Sequence, residues 1–140
     1  MASFNYNSLV DDLVKANINF NYDTIKMMLV TSSYVADKDN HSKRSSVTNE
    51  VANSNGYTAG GKNITVTTTK DLVNDREDIE FTIPPWTSSN ITARAGIIYK
   101  SRGGLSSDDE LVSYIDFGSN FTSTNGTFLV TITNPLRFQN

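Results

Sequence analysis

The sequence predicts a mainly β fold. It reads as one domain over residues 1–140, an antiparallel β-sandwich of jelly-roll-like topology with a short N-terminal helix and short N- and C-terminal arms. Three observations carry this. Runs that alternate with a period of two recur at 63–70, 77–83, 91–100, 111–117 and 127–133, and that period puts apolar side chains on one face of a pleated strand. Polar stretches rich in Gly, Asn, Ser and Thr separate the runs, which favours antiparallel pairing over the long crossovers that parallel strands require. Clear helical spacing is confined to the N-terminus.

Residues 8–16, SLVDDLVKA, place Leu9, Val10, Leu13 and Val14 in a helical stripe. Ser8 is the expected N-cap, Asp11 and Asp12 suit the first turn, and Asp11 stands four before Lys15 for an ion pair. So short a helix needs packing to persist. Residues 17–23 alternate Asn or Asp with Ile18, Phe20 and Tyr22, as in an extended arm with one apolar side. Residues 24–31, TIKMMLVT, hold four consecutive apolar residues, which predicts a strand buried on both faces.

The stretch from 32 to 59 is irregular and longer than a compact domain usually carries without a role. It is the leading place to seek a partner contact, and its Tyr34, His41 and Arg44 are candidate interface residues. A helical turn over 45–51 would put Val47 and Val51 on one side. Tyr57, between the turn signals Asn55-Gly56 and Gly60-Gly61, reads as a packed lid.

In NITVTTTK (63–70), Ile64 and Val66 face one way and Thr65 and Thr67 the other, as on an exposed sheet surface. Ile79, Phe81 and Ile83 form the apolar face of the next strand, which Pro84-Pro85 ends. Trp86 follows as a plug for the core. In 91–100, Ala93, Ala95, Ile97 and Tyr99 share one side, and Arg94 lies opposite with Gly96 and Ile98. Arg94 and Asp116 are expected to pair across neighbouring strands. Trp86, Arg94, Tyr99 and Asp116 therefore read as structural residues. Asn125-Gly126 marks a tight turn before the alternation of 127–133. Phe4, Tyr6, Leu136 and Phe138 fall outside the clear strands, as apolar anchors on arms that reach a neighbour or fold back.

Composition removes several classes of chemistry. With no cysteine there are no disulfides, thiolate metal sites or thiol nucleophiles. A net charge of −3, from 12 basic and 15 acidic residues, disfavours direct nucleic-acid binding. No segment has the length of a membrane span, and the opening MASFNYNSLVDDLV lacks the basic n-region and apolar core of a secretory signal. His41, the single histidine, sits in a charged loop among Lys38, Lys43 and Arg44 that reads as solvated and mobile, so a Ser/His/Asp relay lacks its orienting group. Asp108, Asp109 and Glu110 read as a solvated acidic loop, without the ligand order of a calcium-binding loop. No phosphate-binding glycine loop occurs. No catalytic, cofactor-binding or metal-ligating residue is assigned.

The segments INFNYDTIKMMLVTSSYV (18–35), VTNEV (47–51), GYTAGGK (56–62), ITARAGIIYK (91–100), LVSYIDFGS (111–119) and STNGTFLVTI (123–132) together resemble a family of small tailed-bacteriophage virion proteins. The likeness extends to capsid cement (decoration) proteins with sandwich or jelly-roll folds. It implies a non-enzymatic virion protein, made in the host cytoplasm and carried on the outer capsid surface. Its partners would be the major capsid protein and copies of itself, with no membrane, direct nucleic-acid contact or cofactor. Symmetry-repeated weak contacts gain from effective concentration, and an acidic subunit avoids attraction to DNA. Two other readings stay open: a tail, neck or fibre-associated virion protein, and a carbohydrate-binding module that stacks sugars on Tyr34, Tyr57 or Trp86.

Overall fold

The computed structural model describes residues 2–140; Met1, the first residue of the expected N-terminal arm, lies outside them. The fold is mainly β and antiparallel throughout, with one short N-terminal helix. In chain order the elements are β1 (Phe4–Asn5), α1 (Ser8–Val14), β2 (Ile25–Val30), β3 (Lys62–Asn63), β4 (Thr65–Asp71), β5 (Arg76–Thr82), β6 (Trp86–Ser89), β7 (Thr92–Lys100), β8 (Leu111–Thr122), β9 (Gly126–Phe128) and β10 (Leu136–Gln139). Single 3-10 turns occupy Arg44–Ser46 and Ser106–Asp108. A five-stranded sheet runs β1-β8-β7-β2-β3, a three-stranded sheet runs β10-β5-β4, and β6 pairs with β9 in a ribbon. None of the three closes into a barrel.

The five-stranded sheet is buried on both faces, as the apolar run in β2 predicts. On one face Ile25, Met27, Leu29, Ile98 and Val112 share a core with Ile79 and Phe81 of β5 and with Trp86 and Phe128 of the ribbon. On the other, Met28, Val30, Ala95, Ile97 and Leu111 pack with Tyr6, Tyr34, Tyr99 and Tyr114. Each fully buried large side chain here contributes about 1.5–3 kcal/mol, so the β2-β7-β8 centre dominates stability. The threonine face of β4 adds little. Gly61, at φ +79°, lies so close to β2 that a Cβ would come within 1.8 Å of the Met27 carbonyl oxygen. Glycine is required there on both counts.

The two arms are strands. Phe4 and Asn5 pair with Tyr114 and Ser113, and Tyr6 is fully buried. Leu136–Gln139 pairs with β5, opposite Ile79, Asp78, Glu77 and Arg76. Of the two readings of the arms, folding back is the one seen, and the placement outside strands is corrected for Phe4, Leu136 and Phe138 while Tyr6 lies just beyond β1, because each short run finds an unpaired sheet edge of its own chain. The helix also departs from expectation. Asn7, in the αR region, is its N-cap and makes no side-chain cap bond; the Ser8 hydroxyl is buried without a partner. Only Leu9 and Leu13 of the stripe turn inward, while Val10 and Val14 are exposed. Two turns bury one narrow stripe, and Asp12 shares it, taking a hydrogen bond from Asn17. The Asp11–Lys15 pair forms at 3.0 Å.

Residues 17–23 are turns rather than an extended arm, because Asp23 accepts the Asn19 N–H and Asn19 accepts the Asn21 N–H. Ile18 and Phe20 are still buried, and Tyr22 is exposed. Val47 and Val51 do not share a side. Glu50 bridges to Val30, and the Val51 N–H bonds to the Leu29 carbonyl. This draws the chain out along β2, so Val47 packs on the aromatic core and Val51 on the other. Ala93 separates from Ala95, Ile97 and Tyr99 for a related reason. The β7–β8 register breaks between Ala93 (opposite Phe121) and Ala95 (opposite Asp116), which carries Ala93 to the other core.

The alternating run 127–133 forms a ladder only as far as Phe128. Trp86 pairs with Phe128, so in the same register Leu129 and Val130 would face Pro85 and Pro84. Neither proline has an N–H to give, and the Pro85 carbonyl already accepts from Lys62 Nζ at 2.9 Å. Pro84-Pro85 thus ends two strands, one before it in sequence and one beside it in space.

Candidate interaction surface

Five of the seven candidate interface residues converge, and they converge inward. Phe4 stacks on Tyr114 at 5.1 Å and meets Tyr6 edge-on at 5.3 Å. The Tyr6 and Tyr34 hydroxyls are 3.0 Å apart, and the Tyr34 hydroxyl lies 2.8 Å from His41 Nδ1. That nitrogen also accepts the Asp37 N–H at 3.2 Å, so Nδ1 is the acceptor, Tyr34 donates to it, and Tyr6 donates to Tyr34. The His41 ring stacks on Tyr34. Arg44 lies over the Tyr99 ring at 5.3 Å. Burial pushes the Tyr99 hydroxyl up to about 12 against the opposing effect of Arg44. The expected mobile loop is therefore a fixed cover for one face of the main sheet. Leu136 and Phe138 lie apart, on β10, with Leu136 packed against the other core.

The loop between β7 and β8 contributes to a buried charge cluster. Asp109 and Glu110 are buried, contrary to the solvated loop expected, and of that acidic trio only Asp108 is exposed. Asp109 accepts the Arg44 Nε–H and the Arg102 backbone N–H, both at 2.8 Å. Glu110 takes a two-pronged contact from Arg102 at 2.9 Å and one from Lys43 at 3.2 Å. Burial alone would raise the Glu110 carboxyl, but Arg102 and Lys43 outweigh it and hold it below the usual range. Lys43 and Arg44 come from the loop read as solvated. Backbone bonds bring them here: Arg44 N–H to the Asp109 carbonyl, and Leu111 N–H to that of Ser42. Arg102 was missed, since its distance from Glu110 in sequence signals nothing until the hairpin closes.

The structural residues stand as expected in two cases. Arg94 pairs with Asp116 across β7 and β8. Burial pushes the Asp116 carboxyl up, and the Gly118 N–H with Arg94 brings it below its ordinary value. Trp86 is buried between Tyr57 and Phe128, with Lys62 Nζ 5.9 Å from its ring centre. Tyr57 is the lid, donating to Glu50 at 2.5 Å and accepting the Leu29 N–H. The rings proposed for sugar stacking, Tyr34, Tyr57 and Trp86, are 6%, 3% and 1% exposed, and so offer no platform.

An open trench of about 530 Å³ lies between the C-terminal half of β8 and residues 127–131. Ile115, Phe117, Phe121, Leu129 and Val130 line it with threonines, and its one charged lining residue is the Arg94-paired Asp116. Phe121 and Leu129 are exposed at 53% and 63%. The sequence held a signal for this. Phe128, Val130 and Ile132 share one phase of the alternation, and Leu129 is apolar in the phase otherwise held by threonine.

Compared with known proteins, the chain matches no family model, no curated protein and no solved structure.

Proposed function

We propose that this chain is a non-enzymatic structural subunit of a tailed-bacteriophage virion, a cement protein on the outer capsid surface that joins neighbouring capsomers. Its partners are the major capsid protein and other copies of itself. The stacked antiparallel sheets are read as an open variant of a jelly-roll-like sandwich. Family resemblance in the ordered segments motivates the proposal. One observation carries the non-enzymatic part. The buried carboxylates Asp109 and Glu110 and the single imidazole are closed into ion pairs or hydrogen bonds, while the trench beside β8 is lined by apolar groups, threonines and one carboxylate, Asp116, which is paired with Arg94. Acid–base catalysis needs a titratable group facing bound substrate; a neutral trench suits adhesion.

Quantitative mass spectrometry on purified heads and purified tails tests it. A cement protein occurs on heads in copies proportional to the capsomers, and heads lacking it break at lower temperature. Absence from heads together with a few copies on tails would replace this reading with a tail, neck or fibre component.

A further inference from the structure

We propose that the trench beside β8 is a strand-docking site, which takes an uncharged extended peptide segment of another protein chain as an added β-strand. The first support is the backbone. Residues 129–133 read as a strand, and their exposure alternates as in one, with Val130 and Ile132 facing the core and Leu129, Thr131 and Thr133 outward. Yet among the described residues none of their N–H or carbonyl groups has a hydrogen-bond partner. Pro84-Pro85 denies them a ladder within the chain, and β10 begins only at Leu136. An unpaired strand segment at an apolar trench is a template for strand addition.

The second support is size and charge. A trench of about 530 Å³ holds a single strand of about four or five residues spanning about 15 Å, and is too small for a face of folded domain. Its lining carries no unneutralised charge, which matches a neutral segment with Thr, Val or Ile at alternate positions and disfavours phosphate-bearing ligands. A second, smaller hollow of about 170 Å³, lined in part by Ile132, Asn134 and Leu136, lies further along the same segment. This inference stands apart from the virion reading, since it is measured on the isolated chain.

The probe is the capped peptide Thr-Val-Thr-Val-Thr, titrated into the full chain and followed by amide NMR shifts and hydrogen exchange. Binding is expected to move the amides of 129–133 and of the β8 residues lining the trench, and to slow exchange at 129–133 by tenfold or more. A copy of the peptide N-methylated at alternate backbone nitrogens should bind at least tenfold more weakly. Leu129→Lys should weaken the parent peptide while leaving the spectrum of the remaining fold unchanged. Three results would each overturn the proposal: no response at 129–133 at millimolar peptide, equal binding of the N-methylated copy, or protection of these amides in the free chain. Protection that grows with protein concentration alone would also overturn it, in favour of a second copy as occupant.

Discussion

The two ends of the β7–β8 pair solve opposite problems. At the end joined by residues 101–110, five charged side chains (Lys43, Arg44, Arg102, Asp109 and Glu110) meet in a closed network, and a loop distant in sequence completes it. At the other end there is little charge and much unsatisfied backbone: β8 runs on past its short pairing with β1, and residues 129–133 lie beside it without a ladder. The charged end is where a sequence reader looks for function, and it is structural. Buried carboxylates are tolerated only when paired, so their burial is evidence of locked geometry. The neutral end holds the groups that remain available to another molecule.

The largest effects should come from the closed side. Tyr6→Ala removes a fully buried ring and its hydroxyl contact with Tyr34, and should cost about 3–5 kcal/mol, the usual range for deleting a large buried ring. Urea denaturation checks this. A loss below about 1 kcal/mol would mean that the N-terminal strand is dispensable, as an arm would be. Asp109→Ala should cost about 3 kcal/mol, because Arg44 and the Arg102 N–H lose their shared acceptor in a buried site. Loss of the same size from Asp108→Ala, at an exposed neighbour, would erase the distinction between closed and open acids.

Much of the fold was legible in the sequence, and the reasons for the rest are physical. β2 announced burial on both faces because four apolar residues in a row leave no solvent face. The inward residues of β5 followed from period two. Arg94–Asp116 was found because strands adjacent in sequence pair first. What could not be read was register. Without it, Phe4, Tyr6, Leu136 and Phe138 could be read either as anchors for a neighbour or as arms folded back, although each short run had an edge to fill. The fate of Asp109 and Glu110 depended on Lys43 and Arg44, more than sixty residues earlier, and no local pattern signals such a distance. Pro84-Pro85 was correctly read as ending β5, but its effect on residues 129–133 appears only once Trp86 is set against Phe128.

Acid should act next in size, and on the charged end before the trench. The folded Glu110 and Asp116 carboxyls both lie below their ordinary values. The unfolded chain therefore binds protons more readily. The stabilisation is complete above the unfolded carboxylate range of about pH 4–5 and is lost as pH falls through the lower folded values. Thermal unfolding should be flat from pH 6 to 8 and drop below about pH 4. In Glu110→Gln, which keeps the shape and removes the charge, the acid dependence should be shallower. An unchanged slope would assign the acid response elsewhere, first to Asp116 and then to the half-buried Asp37 and Asp71, since side-chain and backbone hydrogen bonds from Asn40 and Asn74 hold the last two below their ordinary values.

The smallest effect on stability should come from the trench, where the comparison is sharpest. Leu129 is 63% exposed, and its backbone bonds to no described residue. Leu129→Ser therefore removes little buried area, and should shift stability by less than about 0.5 kcal/mol, the usual range for surface changes. If the trench were a defect in packing, removing an exposed apolar group would be neutral or favourable in every assay. If it is a contact surface, the proposed virion role predicts that the same change lowers incorporation into particles while the isolated chain unfolds at an unchanged urea midpoint. Tyr6→Ala should show the reverse, a large fall in midpoint with incorporation reduced only as far as the folded fraction falls. Parallel losses in both measurements for both variants would mean that the two ends of the β7–β8 pair are not separable, and that the neutral trench belongs to the core.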